Sequence, residues 1–300
     1  MVSNTSSRFH IEDYYIVCSL STLFAIVAIL ISLLILFLVW HTKPRLHTIN
    51  HLLICNTAIA SILYCLITIN NYIYLIFISW NLDEMSCRYR AYFGYVGIAS
   101  VIYSYLIQAI SRLFFSVFST KYRFLTTFKV HFILIGIQWF IVILIPLSIL
   151  LTKDIQMTPL TLCWIPLSKI IHLISNAFIV YFIPVGIIIF IYIYIFYHVH
   201  QMTKNVRIIT NSFKRDLQLL RNILILLSIY LGGSITTLLY MMTSIKIIYL
   251  IGLVAITLTV TIEKIFTLIL DREIREVITN MKRRITPVVS FQNTTITLNK

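Results

Sequence analysis

The sequence predicts an all-α membrane protein, a seven-transmembrane helix bundle with its N-terminus outside and a short amphipathic helix after the seventh span. Composition is the first reason: the 300-residue chain is 59% hydrophobic and only 11% charged, and its mean hydropathy is +0.93. Such proportions exclude a soluble domain. The second reason is the spacing of the charges, because a bilayer core of about 30 Å takes about 20 predominantly apolar helical residues.

Seven runs of the chain contain no Asp, Glu, Lys or Arg. They cover residues 14–42, 46–82, 91–111, 130–152, 170–203, 222–245 and 247–262. Six can span a bilayer, and the seventh can if Glu263 and Lys264 lie inside a helix that continues to about Leu270. The stretch Ala25–Val39 is apolar throughout, whereas the strands of a membrane β-barrel alternate apolar and polar residues. We number these predicted helices spans 1 to 7.

The basic residues predict the orientation, because Lys and Arg are enriched in cytoplasmic loops. With the N-terminus outside, seventeen Lys and Arg fall in cytoplasmic segments and six fall in exterior segments. The opposite orientation would invert this bias. The net charge of +14 is therefore attributed to membrane topology and lipid contact, and nucleic-acid binding is not inferred from it.

The predicted organisation has three parts. An extracellular N-terminus covers residues 1–13, a seven-transmembrane domain with its juxtamembrane amphipathic helix covers 14–280, and a cytoplasmic tail covers 281–300. Asn4 begins an Asn-Thr-Ser glycosylation acceptor on the predicted outer side. We therefore expect a multi-pass glycoprotein of the plasma membrane.

Two of the five cysteines are predicted to lie outside the bilayer core. Cys87 stands where span 3 leaves the exterior, and Cys163 lies in the loop between spans 4 and 5. In an oxidising exterior two such thiols are expected to pair, which would tie that loop to span 3. The other three cysteines, Cys18, Cys55 and Cys65, lie within spans and are interpreted as small apolar residues.

Arg112 ends span 3 after 21 residues without a charge, at the predicted cytoplasmic membrane edge. By itself it is consistent with an arginine that extends to the interface. Its spacing adds a second meaning: Arg112 follows Cys87 by twenty-five residues. This spacing resembles that between the helix-three cysteine and the Asp/Glu-Arg-Tyr motif of the rhodopsin-like (class A) family of G-protein-coupled receptors.

Other positions carry the same resemblance, which covers about residues 14–280. Trp139 lies in the middle of span 4, and Pro184 in span 5 is followed eight residues later by Tyr192. Ser61, with an alanine three residues before it, is similar to the frame of the family's helix-two Leu-Ala-x-x-Asp motif. Asp271 begins a segment that resembles the start of the family's juxtamembrane helix.

The chain also departs from the family pattern, so it is identified as a divergent member. The acidic residue before the arginine is Ser111, and the helix-two aspartate is Ser61. Residues 227–233 lack the Cys-Trp-x-Pro motif of helix six, and Glu263–Thr267 stands where the family has Asn-Pro-x-x-Tyr.

The resemblance implies a receptor that binds an extracellular ligand among the outer halves of its helices and activates a heterotrimeric G protein at its cytoplasmic face. Arg112 and Tyr192 are then expected to form the inner switch. Asp216 could replace the acidic neighbour that Ser111 lacks, or it could be solvated between its basic neighbours. The basic run over 204–221 is explained equally by a docking surface and by topology. We expect measurable ligand-independent signalling.

Glu263 and Lys264 are unusual, because a charge at membrane depth costs about 2.5–3.5 kcal/mol on insertion scales. Lys264 is expected to extend to the inner membrane edge. Adjacent helical residues point about 100° apart, so the two charges are not expected to neutralise each other. We hypothesise that Glu263 faces an internal water or sodium pocket near Ser61; the alternative is a neutral, protonated carboxyl.

The ligand class stays open among peptides, lipids and small environmental chemicals. Gly94 stands where amine receptors carry an aspartate, which disfavours a biogenic amine, and Thr257 stands where a retinal protein carries its lysine. Tyr95 and Tyr230 are candidates for an aromatic pocket, although aromatic residues are frequent throughout the chain.

Two other function classes are weighed against a signalling receptor. A transporter or a non-signalling receptor relative is the alternative, and a transporter would show paired charges along a midplane path. An enzyme is not expected, since the histidines form no ligand set: His198 and His200 lie two residues apart, which is poor helical geometry for one metal. No cofactor is expected.

Overall fold

A computed structural model describes residues 11–42, 46–77, 84–119, 121–152, 155, 163, 165, 169–205, 236, 239–240, 243 and 245–285. The regular structure in this part of the chain is helical. The α-helices are α1 (Ile11–His41), α2 (Ile49–Phe77), α3 (Glu84–Leu113), α4 (Phe128–Leu144), α5 (Leu147–Leu151), α6 (Ile170–Ala177), α7 (Ile183–Asn205), α8 (Lys246–Leu270) and α9 (Arg272–Ile285).

Six helical stretches among the described residues are long and apolar enough to cross a membrane. They are Glu12–His41, Ile49–Ile76, Glu84–Phe118, Phe128–Leu151, Ile171–His198 and Ile247–Leu270. These stretches correspond to spans 1 to 5 and span 7, while most of span 6 lies outside the described residues. The prediction of an all-helical, multi-span membrane protein is therefore confirmed.

Proline shapes spans 4 and 5. Pro146 separates α4 from α5, because its ring cannot donate a helical hydrogen bond and clashes with the preceding turn. Pro184, which has no backbone N–H to donate, follows a π-helical turn over Phe178–Phe182. Both prolines thus divide a continuous apolar run into two helical segments.

Helix α3 occupies the centre of the bundle. In an apolar 18-residue segment of its membrane-length stretch, 72% of the residues are buried, against 22–44% in the corresponding segments of the other five stretches. It packs against α2, α4 and α7, while α1 packs against α2 and α8. Small side chains such as Ala91, Ala99, Ser100 and Ala109 allow this crowding, because they let neighbouring helices approach closely.

Helices α2 and α3 approach each other closely at Gly97. A Cβ atom on Gly97 would lie 3.2 Å from the Cα of Tyr64 and 3.4 Å from the side chain of Ile67. Because the nearest obstacle is backbone, the two helices would have to separate to admit a methyl group. Gly136 on α4, by contrast, has no atom within 4 Å of its virtual Cβ.

We predict that Gly97→Ala destabilises the protein and that Gly136→Ala does not. Overpacking at Gly97 is expected to cost about 1–3 kcal/mol and to lower Tm by roughly 3–9 °C. Gly136→Ala adds the same methyl group in open space and is expected to leave Tm unchanged or raise it slightly. Thermal unfolding of the two purified variants checks this, and equal Tm values would contradict the close helix contact.

Candidate functional site

The disulfide Cys87–Cys163 stands at one end of the bundle, which we call the disulfide end. It joins the first turn of α3 to a residue 76 positions later in the chain, as the sequence predicts. Its sulfurs belong to a cluster with Tyr95, Ile155 and Ile165. The bond therefore holds described parts of the segment after α5 over the end of α3.

Arg90 lies beside this disulfide, and the sequence analysis counted it only as an exterior charge. Its guanidinium stacks 4.2 Å from the ring centroid of Tyr74, and its Nε donates to the carbonyl of Ser86 at 3.2 Å. One Nη atom lies 3.9 Å from the Cys163 sulfur. These contacts fix a cation at the disulfide end, and no spacing in the sequence indicates that α2 and α3 bring Arg90 and Tyr74 together.

The proposed pocket residues are buried where the structure describes them. Gly94 is buried in α3, and Tyr95 is 2% exposed within the disulfide cluster. The hydroxyl of Thr257 donates to carbonyls of its own helix, at 3.3 Å to Leu253 and 3.0 Å to Val254. Tyr230 lies outside the described residues.

A buried hydrogen-bond network joins α2, α3 and α4. The indole N–H of Trp139 donates to Asn56 Oδ1 at 3.0 Å, and Asn56 Nδ2 donates to Gln138 Oε1 at 2.7 Å. Gln138 Nε2 then donates to the carbonyl of Ser100 at 3.2 Å. Sequence reasoning identified Trp139 but missed Asn56, although an amide inside an apolar span signals a buried partner.

Arg112 lies between α2 and α7 at the end of the bundle opposite the disulfide. Its guanidinium donates to the side-chain oxygen of Asn50 on α2. Tyr192 on α7 is 3% exposed, and its hydroxyl is within electrostatic range of the guanidinium. The two residues that the resemblance assigns to the inner switch therefore influence each other electrostatically without a hydrogen bond between them, while Asp216 lies outside the described part of the chain.

Ser111 points toward α4 and bonds to a buried histidine. Its hydroxyl lies 2.9 Å from Nε2 of His131, whose Nδ1 lies 2.9 Å from the carbonyl of Thr127. A carbonyl can only accept, so Nδ1 carries the proton and, in the neutral ring, Nε2 accepts from the serine hydroxyl. Ser111 therefore gives Arg112 no counter-charge and instead anchors α3 to α4.

Glu263 and Lys264 form a buried ion pair, which corrects two expectations. Nζ of Lys264 lies 3.0 Å from Oε2 and 3.1 Å from Oε1 of Glu263, so adjacent helical positions did not prevent pairing. Lys264 is only 1% exposed and does not extend to the membrane edge. The lysine stem is long and flexible enough to bend back along α8, and an unpaired charge inside the bundle would cost more.

The same ammonium contacts α2, and α2 contacts α3. Nζ of Lys264 lies 3.4 Å from the carbonyl of Thr57, and the hydroxyl of Thr57 accepts from Gln108 Nε2 at 2.6 Å. Thr57, Ser61 and Cys65 follow one another at four-residue spacing and share a helix face. Glu263 therefore lies against the face of α2 that carries Ser61.

The sodium site considered beside Glu263 does not fit this arrangement. Both carboxylate oxygens already contact the ammonium of Lys264, and a second cation at the same oxygens would be repelled by it. Among the described residues, no cluster of three His, Cys, Asp or Glu side chains is arranged to hold a metal ion.

Asp271 caps α9 and faces a buried histidine of α2. Its Oδ1 accepts from the backbone N–H of Ile274 at 3.0 Å, and its Oδ2 lies 3.7 Å from Nε2 of His51. Burial by itself would raise the pKa of Asp271, but the nearby His51 and the backbone hydrogen bonds outweigh it, so the pKa lies below its ordinary value of 3.8. The carboxylate thus stabilises the start of α9 in its charged form.

We predict that Asp271→Ala loosens α9 at pH 7, at a cost of about 0.5–2 kcal/mol for the lost cap. Because the folded pKa is lowered, the stabilisation is present above the unfolded value and disappears as pH falls through the folded value. Hydrogen exchange of the α9 amides checks this. Asp13→Ala, in the first turn of α1, is the matched control; equal α9 exchange at pH 7 in the wild type and Asp271→Ala would contradict the cap.

We predict that three cysteines react with an alkylating agent in denatured, unreduced protein and that all five react after reduction. The reactive three are Cys18, Cys55 and Cys65. Intact mass measures the number of adducts. The double variant Cys87→Ser/Cys163→Ser should give three adducts under both conditions, and five adducts without reduction in the wild type would exclude the disulfide.

The chain matches a known family of membrane receptors. The model of the family described as 7 transmembrane receptor (rhodopsin family) matches residues 31–270, four fifths of the chain. A search of curated proteins finds no match. Members of the matched family are receptors and not enzymes. The chain belongs to the rhodopsin family of seven-transmembrane receptors.

Proposed function

We propose that this receptor binds an extracellular ligand in the outer half of its bundle and activates a heterotrimeric G protein at its cytoplasmic face. The observation that carries the proposal is the position of Arg112 at the end of α3, bonded to Asn50 and near Tyr192. In this reading the disulfide end is extracellular, Asn4 is glycosylated, and the receptor resides in the plasma membrane. The excess of basic residues in the opposite loops supports this orientation.

The contacts of Arg112 contribute to the stability of the inactive, ligand-free conformation. Arg112 donates a hydrogen bond to a neutral amide, that of Asn50, and the preceding residue, Ser111, bonds to His131. A hydrogen bond to a charged group contributes about 1.5–3 kcal/mol. We infer that Arg112 can leave Asn50 for a G-protein contact without ligand in a measurable fraction of molecules.

At the proposed ligand-binding end, Arg90 is a positioned cation, while Gly94 supplies no counter-charge for an amine. A ligand with a carboxylate or another anionic group suits this chemistry better than a cationic one. Peptides, lipids and small environmental chemicals all include such compounds.

We predict that the wild-type receptor in lipid discs catalyses nucleotide exchange on a panel of G proteins without ligand, and that Arg112→Ala reduces this exchange to background. The loss follows from removal of the cation that contacts the G protein in the active state. Arg88→Ala is the matched control, since Arg88 pairs with Glu84 at the disulfide end, far along α3 from Arg112.

Equal exchange above background by the wild type and Arg112→Ala would contradict the proposed switch. Background exchange by both, in protein with an intact Cys87–Cys163 bridge, would contradict basal activity and favour a non-signalling relative. The replacement of the family's Asn-Pro-x-x-Tyr motif by Glu263–Thr267 is the feature that favours this alternative.

A further inference from the structure

We propose that Lys264 is a built-in counter-ion: its ammonium occupies the cation position beside Glu263, so that the receptor binds no sodium ion there. The inference concerns an ion site and goes beyond G-protein activation. Both side chains are about as buried as any in the described bundle, at 1% exposure each. Nζ of Lys264 lies 3.0 Å from Oε2 and 3.1 Å from Oε1 of Glu263.

The position beside Glu263 has the donor set of a site for a hard cation. The hydroxyl of Thr267 lies 3.2 Å from Oε1 of Glu263, and the carbonyl of Thr57 faces the same centre from α2. Ser61 is fully buried one turn along α2, and its hydroxyl has no hydrogen-bond partner among the described residues. Carboxylate, carbonyl and hydroxyl oxygens are the ligands that hard cations take in proteins.

In this structure the ammonium of Lys264 occupies that centre. It contacts both oxygens of Glu263 and approaches the Thr57 carbonyl at 3.4 Å, so it uses the acceptors that a sodium ion would need. The contact between Lys264 and the Thr57 carbonyl places the ion pair between α8 and α2. A sodium ion would have to displace the ammonium of Lys264. Because Lys264 is the next residue after Glu263 in the chain, this ammonium is always close to the carboxylate.

The arrangement also connects three helices. Lys264 joins α8 to the carbonyl of Thr57, and the Thr57 hydroxyl accepts from Gln108 of α3. Neutralising one member of the pair leaves the other as an uncompensated charge inside the bundle, whereas neutralising both removes the problem. Each single variant, Glu263→Gln or Lys264→Met, is therefore expected to be less stable than the double variant, and ion pairing explains this order.

The experiment measures Tm of the purified receptor in NaCl and in KCl at equal ionic strength, without a G protein. We expect the wild type to show no difference between the two salts. Lys264→Met keeps the stem and removes the ammonium, so sodium is expected to enter and raise Tm by about 3 °C relative to potassium. The double variant Glu263→Gln/Lys264→Met should lose this difference. Lys121→Met, at an exposed lysine, is the matched control.

A sodium-specific rise of Tm in the wild type that Glu263→Gln abolishes would overturn the proposal. A folded Lys264→Met variant without any sodium-specific rise would also overturn it, because the lysine would then not be filling a cation site. If Lys264→Met does not fold but the double variant does, the pairing is supported, since only the unpaired carboxylate distinguishes them. If neither folds, the counter-ion role is overturned. Since none of these readouts needs signalling, their failure is separate from failure of the proposed function.

Discussion

The bundle depends on one constraint: inside a bilayer, a polar side chain must find its partner within the protein, because no water is available to satisfy it. Helix α3 shows the consequence. Its central position brings Ser100, Gln108 and Ser111 into contact with polar groups of two neighbouring helices, α2 and α4, and of its own turn. The hydrogen bonds thereby fix which faces of α2, α3 and α4 meet, a choice that apolar packing alone leaves open.

The same constraint organises the end of the bundle where Arg112 lies. A guanidinium cannot lose its charge, and α2 supplies the side-chain oxygen of Asn50 as an acceptor for it. The adjacent Ser111 is turned away toward His131 on α4. The hydrogen bond from Arg112 to Asn50 therefore links the end of α3 to α2.

Glu263 and Lys264 apply the constraint to full charges. Either charge alone at membrane depth would be unfavourable by several kcal/mol. The two charges compensate each other within one helix, and the ammonium also contacts the carbonyl of Thr57 on α2. The ion pair stands where the family has its Asn-Pro-x-x-Tyr motif. The ion pair makes a polar contact between α8 and α2 there, and the proline that the family places here is absent.

The sequence by itself determined the features that depend on local composition and chain spacing. The apolar runs predicted the helices, and the position of Cys87 and Cys163 outside those runs predicted their bond. Family membership also followed from spacing, since Arg112, Trp139 and Tyr192 keep their intervals in a divergent chain.

The tertiary structure decided which polar group each buried side chain meets. Arg112 bonds to a residue 62 positions away, and Lys264 contacts a carbonyl 207 positions away, so neither pairing is visible in any local pattern. Helical geometry suggested that Glu263 and Lys264 diverge, but a flexible lysine stem and the cost of an unpaired buried charge overrode the backbone direction. Side-chain reach and desolvation act between helices, and only the packed bundle sets them.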